Sequence, residues 1–178
     1  MLVESWLLGQ AGGSAIADVV FGRSNPSGRL TETISLKLED TPAFLNFPGE
    51  YDRVRYGEGT HVGYRYYDKK DMDVSYPFGY GLSYTTFDYG DVEVRSGHDG
   101  IDVSLVVSNT GNRDGYETVQ LYVGARNSKV PRALRELKAF SSVLVPKGES
   151  AQVSMHVDRS ELAYFDPLAS DWVVEGTD

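Results

Sequence analysis

A chain of 178 residues with 40% hydrophobic and 24% charged residues has the composition of an ordinary globular protein, which excludes fibrous and disordered classes and leaves room for one domain with an extension or for two small ones. A formal net charge of −9 argues against a nucleic-acid partner, because binding a phosphate backbone requires a basic face. No apolar run approaches the ~20 residues needed to span a bilayer, and MLVESWLLG has an acid where a secretory leader would carry positive charge. No signal peptide or transmembrane segment is therefore expected, and the compartment stays open. Without cysteine there is no disulfide framework, thiolate nucleophile or cysteine zinc site.

From Met1 to about residue 36 the pattern reads as strand, turn, helix: LVESWLL is short and apolar, GQAGG breaks it, and SAIADVVFG follows. Ser14 is placed as an N-cap, Ile16, Val19 and Val20 recur at helical spacing, and Gly22 is placed to stop the helix. Such a strand-helix unit cannot bury both its faces alone, so it is expected to be the end of a larger α/β layer. Asn25, Pro26, Ser27 and Gly28 read as a β-turn rather than as the setting of an activated serine. GQAGG resembles half of a phosphate loop, but it lacks the lysine and the acidic ribose contact.

Residues 37–86 lose regular periodicity and are punctuated by Gly, Pro, Asn and Asp. Nine of the twelve tyrosines fall between positions 51 and 89, an unevenness that implies a long connection ordered by aromatic packing. From residue 87 to 178 short strands follow at regular spacing. DVEV comes first, then IDVSLVV with Ile101, Val103, Leu105 and Val107 on one face, and SNTGNRDG turns the chain. ETVQLYV sets Val119, Leu121 and Val123 inward, SSVLV ends at PKGE, AQVSMHV sets Val153, Met155 and Val157 on one face, and DWVVEG closes the chain. In RALRELKAF, Leu134, Leu137 and Phe140 recur every third residue, the spacing of a short helix as much as of a strand. The pattern predicts a mainly β fold, an immunoglobulin-like sandwich of roughly seven strands, and the missing disulfide favours the fibronectin III-like variant.

GQAGGSAIADVVFGRSNPSGRLTETI, YGEGTHVGYRYYD, YPFGYGLSYTTFDY, VVSNTGNRDGYETVQLYV and LRELKAF followed by PKGE together resemble the C-terminal part of family 3 glycoside hydrolases, chiefly β-glucosidases. The motifs are collinear from about Leu2 to Gly176, which makes the resemblance far more specific than any one of them. It implies that residues 1–36 end an α/β sandwich domain, 37–86 connect, and 87–178 form a fibronectin III-like domain. It also implies retaining hydrolysis of β-glucosides in an intact enzyme whose nucleophilic aspartate and acid/base glutamate lie upstream; no position here matches either motif. The family continues past a W-V-x-E-x-G hairpin into one more strand, which is expected to be missing after DWVVEGTD. An unpaired strand edge there would invite another chain.

Retaining glycoside hydrolysis needs two carboxyl groups about 5 Å apart. Glu58 and Asp68 are the pair available in the connection; the alternative is that Glu58 accepts hydrogen bonds from glycine-turn amides while Asp68 caps a helix or pairs with Arg65. Tyr56, Glu58, His61, Tyr64 and Arg65 form a candidate substrate-bordering loop, because pyranose C–H faces stack on rings while hydroxyls take hydrogen bonds. The competing use of the tyrosines is to fill a seam between domains. His61, His98 and His156 show no metal-ligand spacing, so no metal and no cofactor is expected. Trp6, Leu7, Leu8, Val20 and Phe21 form an apolar patch that calls for a cover, either the missing N-terminal catalytic portion or a second copy. The expected role is a non-catalytic, structural segment of a β-glucosidase-type enzyme; an independent module binding β-glucosides or oligosaccharides, or an interaction domain that oligomerises through its unpaired edge, remains the alternative.

Overall fold

The computed structural model describes residues 2–175. The fold is mainly β, as the strand pattern predicts, and the sequence from residue 87 onward folds into a two-sheet sandwich.

At the N-terminus, residues 2–9 form no strand, contrary to expectation. No strand lies beside them among the described residues, and Trp6 sits at φ 47°, which breaks an extended run. Helix α1, Gly12–Val20, starts three residues earlier than an N-cap at Ser14 predicts. Gly12 packs so closely on Leu8 that a Cβ there would lie 2.5 Å from the Leu8 Cβ, so the tight entry is made by glycine. Ser14 lies inside the first turn and donates to the Ala11 carbonyl at 2.9 Å. Gly22, at φ 72°, ends the helix as expected. The β-turn expected at residues 25–28 is absent. Its bonds go elsewhere: the Asn25 Oδ1 accepts from the Ser83 hydroxyl and the Tyr84 amide, while Leu30 exchanges backbone bonds with Gly79 and Tyr80.

The connection is more structured than its composition suggests. Strand β1, Ile34–Ser35, pairs antiparallel with β2, Val74–Tyr76. Between them helix α2, Tyr64–Lys70, is entered at Gly63 (φ 56°) and left through Asp71 in the left-handed region. Three tyrosines in seven residues make poor helix propensity, so α2 is held by its contacts with the sandwich.

In the sandwich, β3 (Phe87–Tyr89) and β4 (Glu93–Ser96) run along one edge of β5 (Gly100–Asn109), offset by one residue at the break between them. Strand β6 is Gly115–Val123, β7 is Glu136–Val145, and β8 is Ser150–Asp158, which covers the other edge of β5. Strands β6 and β7 make the second sheet. A hairpin of β9 (Tyr164–Asp166) and β10 (Asp171–Val173) follows. The stretch RALRELKAF resolves as strand from Glu136 onward, because β6 offers a ladder to pair with. A register shift opposite Leu121 and Tyr122 breaks the alternation that would have marked it as β. Leu105, Val107, Val119, Val145, Val153 and Met155 form the core, drawn from both sheets as the alternation predicts. The expectation of a missing final strand bears on the chain beyond Glu175, outside the described residues.

One inward position is occupied by a charge. Glu117 stands on the same face of β6 as Val119, and its carboxylate is met by Arg29 at 2.6 Å and by the Tyr89 hydroxyl at 2.7 Å. The Arg29 and Glu117 side chains are only 14% and 10% exposed. Burial, with the Glu117 bond second, pushes the Tyr89 hydroxyl far above its ordinary value, so it keeps its proton and donates it to Glu117. Arg29→Met leaves Glu117 charged inside the sandwich and is expected to cost about 3–5 kcal/mol in urea denaturation. Arg29→Met combined with Glu117→Met should recover most of that loss; a double variant as unstable as the single one contradicts the ion-pair account.

On the outer face, His156 Nδ1 lies 2.7 Å from Asp102 and its Nε2 lies 3.4 Å from Asp158, so the two carboxylates flank the ring on opposite sides and do not converge on one point. The Asp102 hydrogen bond raises the His156 pKa above its ordinary value. A raised folded-state pKa gives stability that is fully present below about pH 6.5 and is lost as pH rises through the folded value. The difference in urea midpoint between the wild-type chain and His156→Gln is therefore expected to shrink between about pH 5.5 and 8.5; a difference independent of pH contradicts it.

Candidate functional site

The five candidate residues lie on two elements. Tyr56, Glu58 and His61 belong to glycine-punctuated turns, in which the His61 amide donates to the Glu58 carbonyl at 3.0 Å; Tyr64 and Arg65 open α2. Tyr56 is 82% exposed and contributes no wall to a pocket. Tyr64 does the opposite. Its ring packs 4.8 Å from Phe78 and edge-on to Tyr122 at 5.8 Å, and its hydroxyl accepts from the Leu137 amide at 2.8 Å. This is the seam-filling use of tyrosine: the apolar body is packed and the polar tip is satisfied by a strand.

Arg65 lies over the Tyr64 ring at 5.6 Å and does not pair with Asp68. Asp68 instead takes both arms of Arg135, the residue before β7, at 2.7 and 3.0 Å, which corrects the expected Arg65 partnership. The geometry decides it, since a planar guanidinium matches both carboxylate oxygens at once. That bidentate bond leads the causes that raise the Arg135 pKa. Arg65 instead contributes to the field around Glu136, a half-buried carboxyl on β7. Burial acts to raise the Glu136 pKa, but the Lys138 hydrogen bond and the charges of Lys138, Arg132 and Arg65 outweigh it and bring it below the ordinary value.

The expected amide partners of Glu58 are also absent. Its Oε2 is buried with no hydrogen-bond partner in the protein, and so are His61 Nε2 and Arg65 Nε. Only one other such side-chain atom occurs among the described residues, on Glu175. Buried polar atoms are nearly always paired, so three orphans within eight residues mark this loop apart from the rest of the chain. Both Asp68 oxygens are held by Arg135, and no hydrogen bond joins Glu58 to Asp68. A shallow groove of about 340 Å³ beside α2 is lined by Tyr67, Asp68, Asp71, Met72, Leu134 and Arg135, and includes none of the five candidates.

The residues that position this region but could not be read from local sequence are Phe78, Tyr122, Arg135 and Glu136. Each acts across a separation of more than ten residues, with no motif to announce it.

Comparison with known proteins bears on the whole chain. Residues 1–84 match the glycosyl hydrolase family 3 C-terminal domain, and residues 117–178 match a fibronectin type III-like domain. Thermostable beta-glucosidase B of Acetivibrio thermocellus is 48% identical over 178 residues, spanning 98% of this chain and 24% of that protein. The exo-alpha-(1->6)-L-arabinopyranosidase of Bifidobacterium longum is 47% identical over 98% of this chain and 23% of its own length. Among solved structures, a Bifidobacterium adolescentis beta-glucosidase superposes with TM-score 0.92 at 48% identity, covering 97% of this chain and 26% of that one. The chain thus spans about a quarter of the length of the relatives it matches. With relatives aligned along nearly its entire length and the two family models covering residues 1–84 and 117–178, it belongs to the family 3 glycoside hydrolases and matches a C-terminal segment of these larger enzymes.

Proposed function

We propose that this chain is the non-catalytic, structural C-terminal segment of a retaining β-glucosidase-type hydrolase, and that its partner is the upstream portion of such an enzyme. The observation that carries this reading is the state of the two candidate carboxylates. A nucleophile and an acid/base must face each other about 5 Å apart across the glycosidic bond. Asp68 is committed through both oxygens to a structural ion pair with Arg135, and no hydrogen bond links Glu58 to it. The apolar face of residues 2–21 supports the same view: Trp6, Leu7 and Phe21 are largely exposed, as surfaces waiting for a cover are.

In this reading Tyr56, Glu58, His61, Tyr64 and Arg65 border the substrate region of the assembled enzyme rather than perform its chemistry. The sugar itself is chosen elsewhere. A relative named for glucosides and one named for arabinopyranosides match this chain almost equally well, 48% against 47% identity, so this quarter of the protein discriminates poorly between them.

The purified chain is expected to show no turnover of an aryl β-glucoside above the uncatalysed rate. Measurable turnover that disappears in Glu58→Gln or Asp68→Asn would overturn the proposal and make the loop catalytic.

A further inference from the structure

Residues 44–65 carry four unusual features at once. First, Glu50 and Arg53 close a tight hairpin with two backbone bonds of 3.0 Å, and both residues at its tip, Tyr51 and Asp52, lie at positive φ, 49° and 58°. Such two-residue turns ordinarily take Asn-Gly; a bulky tyrosine is among the least suited residues. Gly49, at φ 97°, enters the hairpin so tightly that a Cβ would lie 2.1 Å from the Arg53 carbonyl oxygen. Second, the strained tyrosine packs on nothing: Tyr51 is 95% exposed, and Leu45, Phe47 and Tyr56 beside it in sequence are 91%, 72% and 82% exposed. Third, the segment is neutral, with Glu50, Asp52 and Glu58 balanced by Arg53, Arg55 and Arg65, although the whole chain carries −9. Fourth, three of the orphaned polar atoms lie at its end, on Glu58, His61 and Arg65.

Strain that displays an aromatic ring to solvent gains nothing within this chain, so what compensates it lies outside. We infer that residues 44–65 form a second docking surface for the upstream portion of a family 3 enzyme, with Tyr51 as the anchor side chain. This rests on the partner proposed above and adds a contact distinct from the apolar face of residues 2–21. Aromatic and arginine side chains without a net charge are the composition of a protein–protein interface core. A sugar suits the surface less well, because Leu45, Val54 and Val62 are interleaved with the rings and offer hydroxyls nothing to bond. A second copy suits it less well again, since each copy brings a formal −9. The relatives supply the remaining occupant: about three quarters of each lies outside the region matched here.

The test uses Tyr51→Gly and Leu45→Ser, each in this chain alone and in the Acetivibrio thermocellus relative with its matching C-terminal quarter replaced by this chain. In the chain alone, Tyr51→Gly relieves the left-handed backbone and should raise Tm by roughly 2–4 °C, while Leu45→Ser, on a fully exposed side chain, should leave Tm unchanged. In the chimera both should lower Tm, so that Tyr51→Gly changes sign between the two settings. Tyr51→Gly raising Tm in both, with Leu45→Ser neutral in both, overturns the inference. A rise in KM for an aryl β-glucoside with Tm unmoved overturns it in favour of a sugar occupant, and a concentration-dependent dimer of the chain alone that Tyr51→Gly abolishes overturns it in favour of a second copy. An unsubstituted chimera that neither folds nor hydrolyses the glucoside refutes the parent reading, and this inference with it; an active chimera in which both variants behave as they do in the chain alone refutes this inference only.

Discussion

Glu117 is the residue on which the arrangement of the chain turns. It occupies an inward position of β6 where alternation calls for an aliphatic side chain, and a lone carboxylate there would be prohibitively placed. Arg29 neutralises it and Tyr89 occupies its second oxygen. The pair therefore requires the segment after α1 to lie against β6, since that segment supplies the guanidinium. Neighbouring contacts follow from that placement. Asn25 donates to the Asp114 carbonyl at 2.9 Å while accepting from residues 83 and 84, and Arg113 reaches back to the Gly22 carbonyl while lying over the Tyr84 ring. The segment that follows α1 is thus bound to the β-sandwich by polar contacts that span 88 to 91 residues.

What local sequence revealed follows the distinction between periodic and long-range signals. The sandwich strands were legible because alternation is a property of adjacent residues: Val103, Leu105 and Val107, and Val153, Met155 and Val157, are buried as their spacing predicts. Gly22 was legible because a helix stop needs a left-handed residue at one position. The strand of residues 2–8 failed for the converse reason, since a strand is defined by a neighbour, and its apolar composition does not supply one. The seven residues of α2 were hidden because tyrosines and a glycine entry give no helical pattern, and the helix exists through Tyr64, Tyr67 and the Asp68–Arg135 pair. The candidate loop was legible as a place and illegible as a geometry. Its residue types mark it, but whether Asp68 meets Arg65 or Arg135 depends on β7, some 67 residues away.

The two halves of the chain differ in how completely they satisfy themselves, and that difference is physical evidence of what each is for. At the end of the sandwich, the buried Asn109 uses its whole side chain: its amide donates to the Arg113 and Val145 carbonyls, and its oxygen accepts from the Thr85 hydroxyl and the Gly111 amide. Nothing there asks for a further molecule. Between residues 49 and 65 the balance reverses, with two non-glycine residues in the left-handed region at ~1–2 kcal/mol each and three orphaned buried polar atoms at ~1–3 kcal/mol each. Against a stability of ~5–15 kcal/mol for a domain this size, such costs are large enough that the loop gains from any outside partner that meets them. A self-sufficient sandwich bearing a loop that is not self-sufficient is the construction expected of a part whose chemistry is completed by another part. The sandwich and the Arg29–Glu117 pair give the loop a fixed base, and the loop carries the polar and aromatic groups that a neighbour must meet.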